Sequence, residues 1–290
     1  MARTLQIFSK IQSLRGSYYR ALPGKESLIR VVMEAEIAEH VYNSNAIENS
    51  TLTLEDTEKI LLQVDLDRFV SEREIFEAKN LARVVAYTEN KAREAEISLE
   101  LMLLLHKMLI GNIREDVAGR FRQGNEWVRV GTHIGADPKD IVRLLTDMLT
   151  EYHASASGHI VKRVARFHLT FENIHPFIDG NGRIGRALNN YVLIREGYVP
   201  INIAFVNRAR YYDAFKEFEG SGRTAVMEEI IGRALTVSYH KRLAYLEGKR
   251  IITLAQYAKE TKQSHPNLIN KAHRQTIPAF TEKGEWKIGV

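Results

Sequence analysis

The 290-residue sequence contains no cysteine. Disulfides, thiolate nucleophiles and cysteine-bound zinc are therefore excluded, and the absence suits a reducing compartment, so a cytoplasmic location is expected. Long apolar runs are missing too. The longest, from Leu101 to Ile110, is interrupted by His106 and Lys107, and it falls well short of the ~20 residues that cross a bilayer. No membrane span is predicted. The opening stretch MARTLQIFSKIQSLRGSYYR lacks a continuous apolar core followed by a small-residue cleavage site, which predicts no leader peptide. Proline and glycine are sparse, at 6 and 18, so the places where they gather are informative.

What is present is a 44% hydrophobic chain with a net charge of +5, enough to bury a large core. The charge is unevenly placed. Of 41 basic and 36 acidic residues, eight and three fall in 249–290, which leaves 33 of each sign in the rest. Apolar residues at spacings of three and four mark helices over most of the length, for example Leu28, Val31, Val32, Ala35 and Val41 in 27–50. Thr53 and Asp56 resemble a capping box at the head of the next helix. The exception is 118–135, where glycines bracket short alternating runs and predict an extended hairpin. The expected fold is mainly α. The helical pattern ends near 245–252, which divides the chain into 1–100, 101–245 and a tail of 250–290.

The densest punctuation is HPFIDGNGRIGR, residues 175–186, between the helical patterns VKRVARFHLTFENI and RIGRALNNYVLIREG. Pro176 ends the first helix. Gly180 and Gly182 permit a backbone that turns successive N–H groups toward one point, and a helix start just beyond adds its dipole. Such a loop is an anion site. Arg183 and Arg186, three apart, project to one side and suit forked phosphate contacts. Asp179, an acid among cations, suits a hard ion such as Mg²⁺ bridging phosphate oxygens. His175 has the side chain best suited to general-base work near neutrality. The spacing is not that of a P-loop. Together the residues describe phosphoryl or nucleotidyl transfer.

The stretch resembles the signature of the Fic (filamentation induced by cAMP) family, H-x-F-x-D/E-G-N-G-R-x-x-R, at His175, Phe177, Asp179, Gly180, Asn181, Gly182, Arg183 and Arg186. The resemblance implies a helical bundle that transfers AMP from ATP to a hydroxyl of a target protein and releases pyrophosphate. It implies His175 as the base, Asp179 as ligand of Mg²⁺ or Mn²⁺, and Asn181 with the Gly180–Gly182 amides as the nest for the α- and β-phosphates. Arg183 would take the β-phosphate, Arg186 the γ-phosphate, and Phe177 would anchor the loop. The hairpin 118–135 would be a flap that docks the target by strand addition. In RARYYDAF, Tyr212, ahead of Tyr211, would wall the adenine pocket. SNAIENS resembles the family's inhibitory motif S/T-x-x-x-E-G/N at Ser44, Glu48 and Asn49, which implies that Glu48 pairs with Arg186 and displaces the γ-phosphate.

The tail resembles a winged helix-turn-helix, with Asn270, Lys271, His273 and Arg274 on the polar face of its second helix and Trp286 packing the wing. Its partner would be DNA or a protein. Self-modification and a homodimer are further expectations from the family. Two other readings stay open at this stage: a DNA-binding regulator with a nucleotide-sensing site, and a hydrolase that removes AMP.

Overall fold

The computed structural model describes residues 2–290, with side chains from residue 6 onward. The mainly α expectation holds: twelve α-helices account for most of the described residues, and the strands form only a two-stranded and a three-stranded antiparallel sheet. No helix among the described residues is long and apolar enough to cross a membrane.

The chain divides into two compact units, residues 37–228 and a discontinuous unit of residues 1–36 with 229–290. This is not the division read from the sequence at 100 and 245–250. Composition locates where a helical pattern stops, whereas compactness depends on which buried groups meet. In the discontinuous unit, Lys241 pairs with both Glu36 (3.2 Å) and Glu282 (3.1 Å), and Arg242 pairs with Glu36 (2.6 Å). The tail therefore belongs with the helices that precede it. Residues 1–25, for which the sequence offered no assignment, contribute α1 (Ala2–Ala21), and α2 (Glu26–Ile47) follows.

Within 37–228 come α3 (Leu54–Leu62), α4 (Glu72–Lys91), α5 (Leu99–Ile110), α6 (Ile141–Ala154), α7 (Ile160–Ile174), α8 (Asn181–Arg195) and α9 (Arg208–Ser221). The Thr53–Asp56 capping box at α3 is present in both directions. Helix α8 packs against α4, α5 and α7 and is buried on every face, as expected of a central helix. The hairpin β1 (Arg129–Val130) and β2 (His133–Ile134) precedes α6. It is much shorter than 118–135, because the residues before Arg129 form turns around buried Arg122 instead of extending the ladder.

Helix α10 (Ala225–Leu246) leads into β3 (Ile251–Thr253), α11 (Leu254–Thr261), α12 (His265–His273), β4 (Ala279–Glu282) and β5 (Glu285–Gly289), with sheet order β3-β5-β4. Strand β3 was not read from the sequence. Ile252, Leu254, Leu268, Ala272 and Ile288 form the small core, with Trp286 packed against it and edge-on to His273 at 5.3 Å.

Candidate active site

Helix α7 ends at Ile174, where His175 takes a left-handed conformation (φ 51°, ψ 62°) as its C-cap and Pro176 prevents the helix from continuing. The turn that follows is held from three sides. Phe177 is fully buried and stacks on His106 with ring centroids 3.8 Å apart. The His106 ring accepts from Gly119 N–H at Nδ1 (3.0 Å) and so donates from Nε2 to the Asp179 carbonyl (3.1 Å). Burial keeps it neutral, lowering it to about 4. Arg122, 2% exposed, distributes its guanidinium over the carbonyls of His175 (2.8 Å), Glu126 (2.8 Å), Ala136 (2.8 Å) and Ile174 (3.3 Å). Nothing in the local pattern around Arg122 distinguishes it from a solvated arginine, so sequence reasoning missed it.

Gly180, at φ 82°, begins α8, and a Cβ there would come within 2.9 Å of Leu109. Only glycine makes this turn without strain. No side chain caps the helix, so its first amides face the cleft uncommitted to a cap. Both ends of the Asn181 side-chain amide bracket the Phe177 backbone at 2.8 Å, and the residue is 2% exposed. It braces the loop while Asn181 also lines the cleft.

His175 is half-buried against the loop, and its Nδ1 donates to the Glu172 carbonyl at 3.2 Å, because a carbonyl can only accept. Nε2 is left as the basic nitrogen. Burial lowers the ring to about 4. Asp179 accepts from Arg73 (3.0 Å) and from Arg183 (3.0 Å), while Glu77 lies 3.4 Å from Arg183 and 3.1 Å from Arg73. Arg73 and Glu77 on α4 were not singled out from the sequence, where they read as one solvated helix face.

Arg186, like Arg122, spends its guanidinium on four hydrogen bonds. Its Nε donates to Ser44 Oγ (2.9 Å), one terminal nitrogen to the Ser44 carbonyl (2.9 Å) and to Glu48 Oε1 (2.8 Å), and the other to the Tyr211 hydroxyl (3.3 Å). The Glu48 carboxylate also lies against Gly182, where an added Cβ would overlap it. Asn49 turns the chain at φ 71° and accepts from Arg208 at 2.7 Å. Asparagine tolerates that left-handed conformation, as glycine does. Ser44, Glu48 and Asn49 are thus brought to the same place as the 175–186 loop.

Tyr211 is fully buried and donates to His168 Nε2 (2.7 Å) while accepting from Arg186. Tyr212 is half-buried, with Arg208 over its ring at 5.3 Å. Both line a cleft of about 390 Å³ together with Glu48, Glu172, His175, Asp179, the Gly180–Gly182 turn and hairpin residues Val130–His133, a volume in the range of ligand sites. The hairpin is tied alongside by His133 Nε2, which donates to the Asn173 carbonyl at 2.8 Å. A second cleft of about 400 Å³, near Tyr152 and Arg166, contains none of these groups, and its Arg163 is already paired with Glu196 at 2.9 Å.

Comparison with known proteins agrees with this geometry. Residues 96–193 match the Fic/DOC family. The chain is 31% identical over 222 residues to the protein adenylyltransferase Fic of Drosophila willistoni, covering 71% of this chain and 44% of that protein. It is 32% identical over 202 residues to the Drosophila persimilis counterpart, covering 68% and 39%. The chain therefore spans less than half the length of the curated relatives it matches. Its fold is shared with a Fic domain containing signaling protein from Bacteroides thetaiotaomicron, at TM-score 0.75 and 21% identity over 83% of this chain and 98% of the other. A Fic family protein from Desulfovibrio desulfuricans superposes at TM-score 0.70 with 20% identity, covering 100% of this chain and 96% of the other. With the complete signature gathered on one loop and the surrounding helices shared, the chain belongs to the Fic/DOC family.

Proposed function

We propose that the chain is an autoinhibited protein adenylyltransferase, moving AMP from ATP to a hydroxyl of a target protein. The observation that carries the reading is the occupation of Arg186 by Ser44 and Glu48 at the wall of the cleft that also holds His175. Neutral His175, with its proton on Nδ1 and a lone pair on Nε2, accepts the target's hydroxyl proton. The freed oxygen attacks the α-phosphorus, and pyrophosphate leaves with the electron pair. The amides at the start of α8 and Arg183 bind the charge of the phosphates.

Asp179 fits a divalent ion of the Mg²⁺ or Mn²⁺ kind. Such an ion takes one or two carboxylates and completes its shell with phosphate oxygens and water, and no cluster of three acidic or histidine ligands exists among the described residues. When bound there it neutralises phosphate charge. Before that, Asp179 must exchange its contacts to Arg73 and Arg183.

Glu48 competes with the γ-phosphate for Arg186 and adds like charge beside it. Transfer of label from α-labelled ATP to protein in a lysate tests the reading. Glu48→Gly is expected to label at least tenfold more than wild type. His175→Ala added to it is expected to remove about 10²-fold or more of that signal. Equal labelling with and without Glu48, or no labelling in any variant, rejects it.

For the tail, exposed Asn270 and His273 lie along one side of α12, with exposed Arg274 at its C-cap, which supports a duplex DNA partner read by that helix. Shift assays of the full chain at several salt concentrations, with Arg274→Ala as control, test this second reading.

A further inference from the structure

Glu172, on the last turn of α7, is 9% exposed and borders the cleft. Its Oε1 has no hydrogen-bond partner, a condition that is costly where nothing compensates it. Its Oε2 lies 4.0 Å from His175 Nδ1, the same nitrogen that donates to the Glu172 carbonyl. One residue thus meets the base twice, by main chain and by side chain. The carboxyl also has a place built for it on the facing helix. Gly185 occupies a position that the signature leaves open, and a Cβ there would overlap Glu172 Oε1 and approach the His168 ring at 3.1 Å.

We propose that Glu172 is the positioning residue of His175: it holds the Nδ1–H side of the ring inward, leaves Nε2 toward the cleft, and compensates the charge the ring acquires on taking a proton. The inference rests on the reading of His175 as the base.

Its physical need is plain. Burial depresses the ring to about 4, with the Glu172 carbonyl the main opposing influence, and an imidazole that weakly basic accepts a hydroxyl proton poorly. An ionised carboxylate within ~4–6 Å raises such a group by about 1–3 pH units. Burial also pushes Glu172 up to about 8, against Arg186 and with Glu48. The charged or titratable groups facing the pair are Arg186, Glu48, Tyr211, Arg122 and His133, with the His168 ring beside Glu172 at Gly185. In the transfer step the target O–H bond breaks and its proton passes to Nε2, while the oxygen–phosphorus bond forms and the bond to pyrophosphate breaks. Nδ1 keeps its proton throughout, and the Glu172 carboxylate faces the resulting imidazolium without changing its own protonation. The active form therefore has Glu172 ionised, and two sites this close titrate as a pair.

The test uses the full chain with ring-labelled histidine, as wild type and as Glu172→Gln, which keeps the side chain's shape. Followed by NMR, the His175 ring of wild type is expected to move in two steps, the upper one between pH 6 and 9. Glu172→Gln is expected to lose that upper step, and Glu172→Asp to keep it. Superimposable curves for wild type and Glu172→Gln overturn the proposal, provided thermal melts show both folded. In the Glu48→Gly background, Glu172→Gln is expected to lower kcat about tenfold, leave KM for ATP within twofold and flatten the rise of rate with pH. Unchanged kcat and an unchanged pH profile also overturn it. If the upper NMR step behaves as stated while Glu48→Gly transfers no AMP, the adenylyl-transfer reading fails and the pairing stands.

Discussion

Arg242 and Arg186 are both buried arginines that meet a glutamate, Glu36 within α2 and Glu48 just beyond its end, yet the two pairs are built to opposite ends. Arg242, in the discontinuous unit, is paired with Glu36 at 2.6 Å, with side chains 1% and 8% exposed. Lys241 closes the other side of the same carboxylate at 3.2 Å. Arg186 is also buried, at 8%, but its partner Glu48 is 35% exposed and stands just past the end of α2. A carboxylate in a helix interior with two cations has nowhere to go. One at a helix terminus beside a cleft can leave, provided something else of the same charge takes its place. Burial of the arginine is common to both; the exit of the acid separates a structural pair from a displaceable one.

Breaking the closed pair should have the largest effect. Glu36→Ala is expected to destabilise the fold by about 3–5 kcal/mol in denaturant melts, because Arg242 is left buried and unpaired. Glu48→Ala should lie within about 1 kcal/mol of wild type, since the Ser44 carbonyl and hydroxyl still hold Arg186, while ATP binding by calorimetry tightens. Equal losses from the two substitutions would erase the comparison.

Smaller effects appear in pH dependence, and their signs differ between the units. Burial would raise Glu282, but the hydrogen bond from Lys287 and the charge of Lys241 hold it down to about 2. Its contribution to stability is present above the ordinary carboxyl value of about 4.3 and is lost as pH falls toward the folded value. Glu172, pushed up to about 8, behaves in reverse: its contribution is complete below the ordinary carboxyl value and is lost as pH rises toward about 8. Glu282→Gln should therefore flatten the acid side of a Tm against pH curve, and Glu172→Gln its alkaline side. The smallest expected effect is that of Arg73→Ala, an exposed partner of Asp179, which should alter Tm by no more than about 1 kcal/mol equivalent and lower the metal concentration needed for half-maximal labelling.

The helices and the 175–186 loop were legible because each is written locally, in apolar spacing, caps and clustered glycine. The pairing of Glu48 with Arg186 was legible only through the resemblance, since the two lie far apart in the chain. What escaped were residues whose meaning comes from distant partners. Arg122 looks like any arginine in a turn until four carbonyls converge on it. His106 only interrupts an apolar run until Phe177 stacks against it, and Glu172 is one acid on an amphipathic helix until Gly185 makes room for it. Strand β3 is three residues long and exists only because β5 pairs with it. The flap was overestimated because alternation and glycines predict extension, whereas the Arg122 guanidinium gathers the residues around it into turns.

Arg122 has one more consequence. Because a single guanidinium binds carbonyls before the hairpin, after it and at His175, the proposed docking edge and the proposed base would form one rigid gauge. A peptide that added to that edge would be measured by position. Successive residues of a strand point to opposite faces, so sliding the peptide by one residue turns its hydroxyl away from His175 and sliding it by two carries it nearly 7 Å past. Selection of the modified residue would then be a matter of counting along a backbone, and an enzyme that chooses by counting can accept targets with no side chain in common beyond the hydroxyl itself.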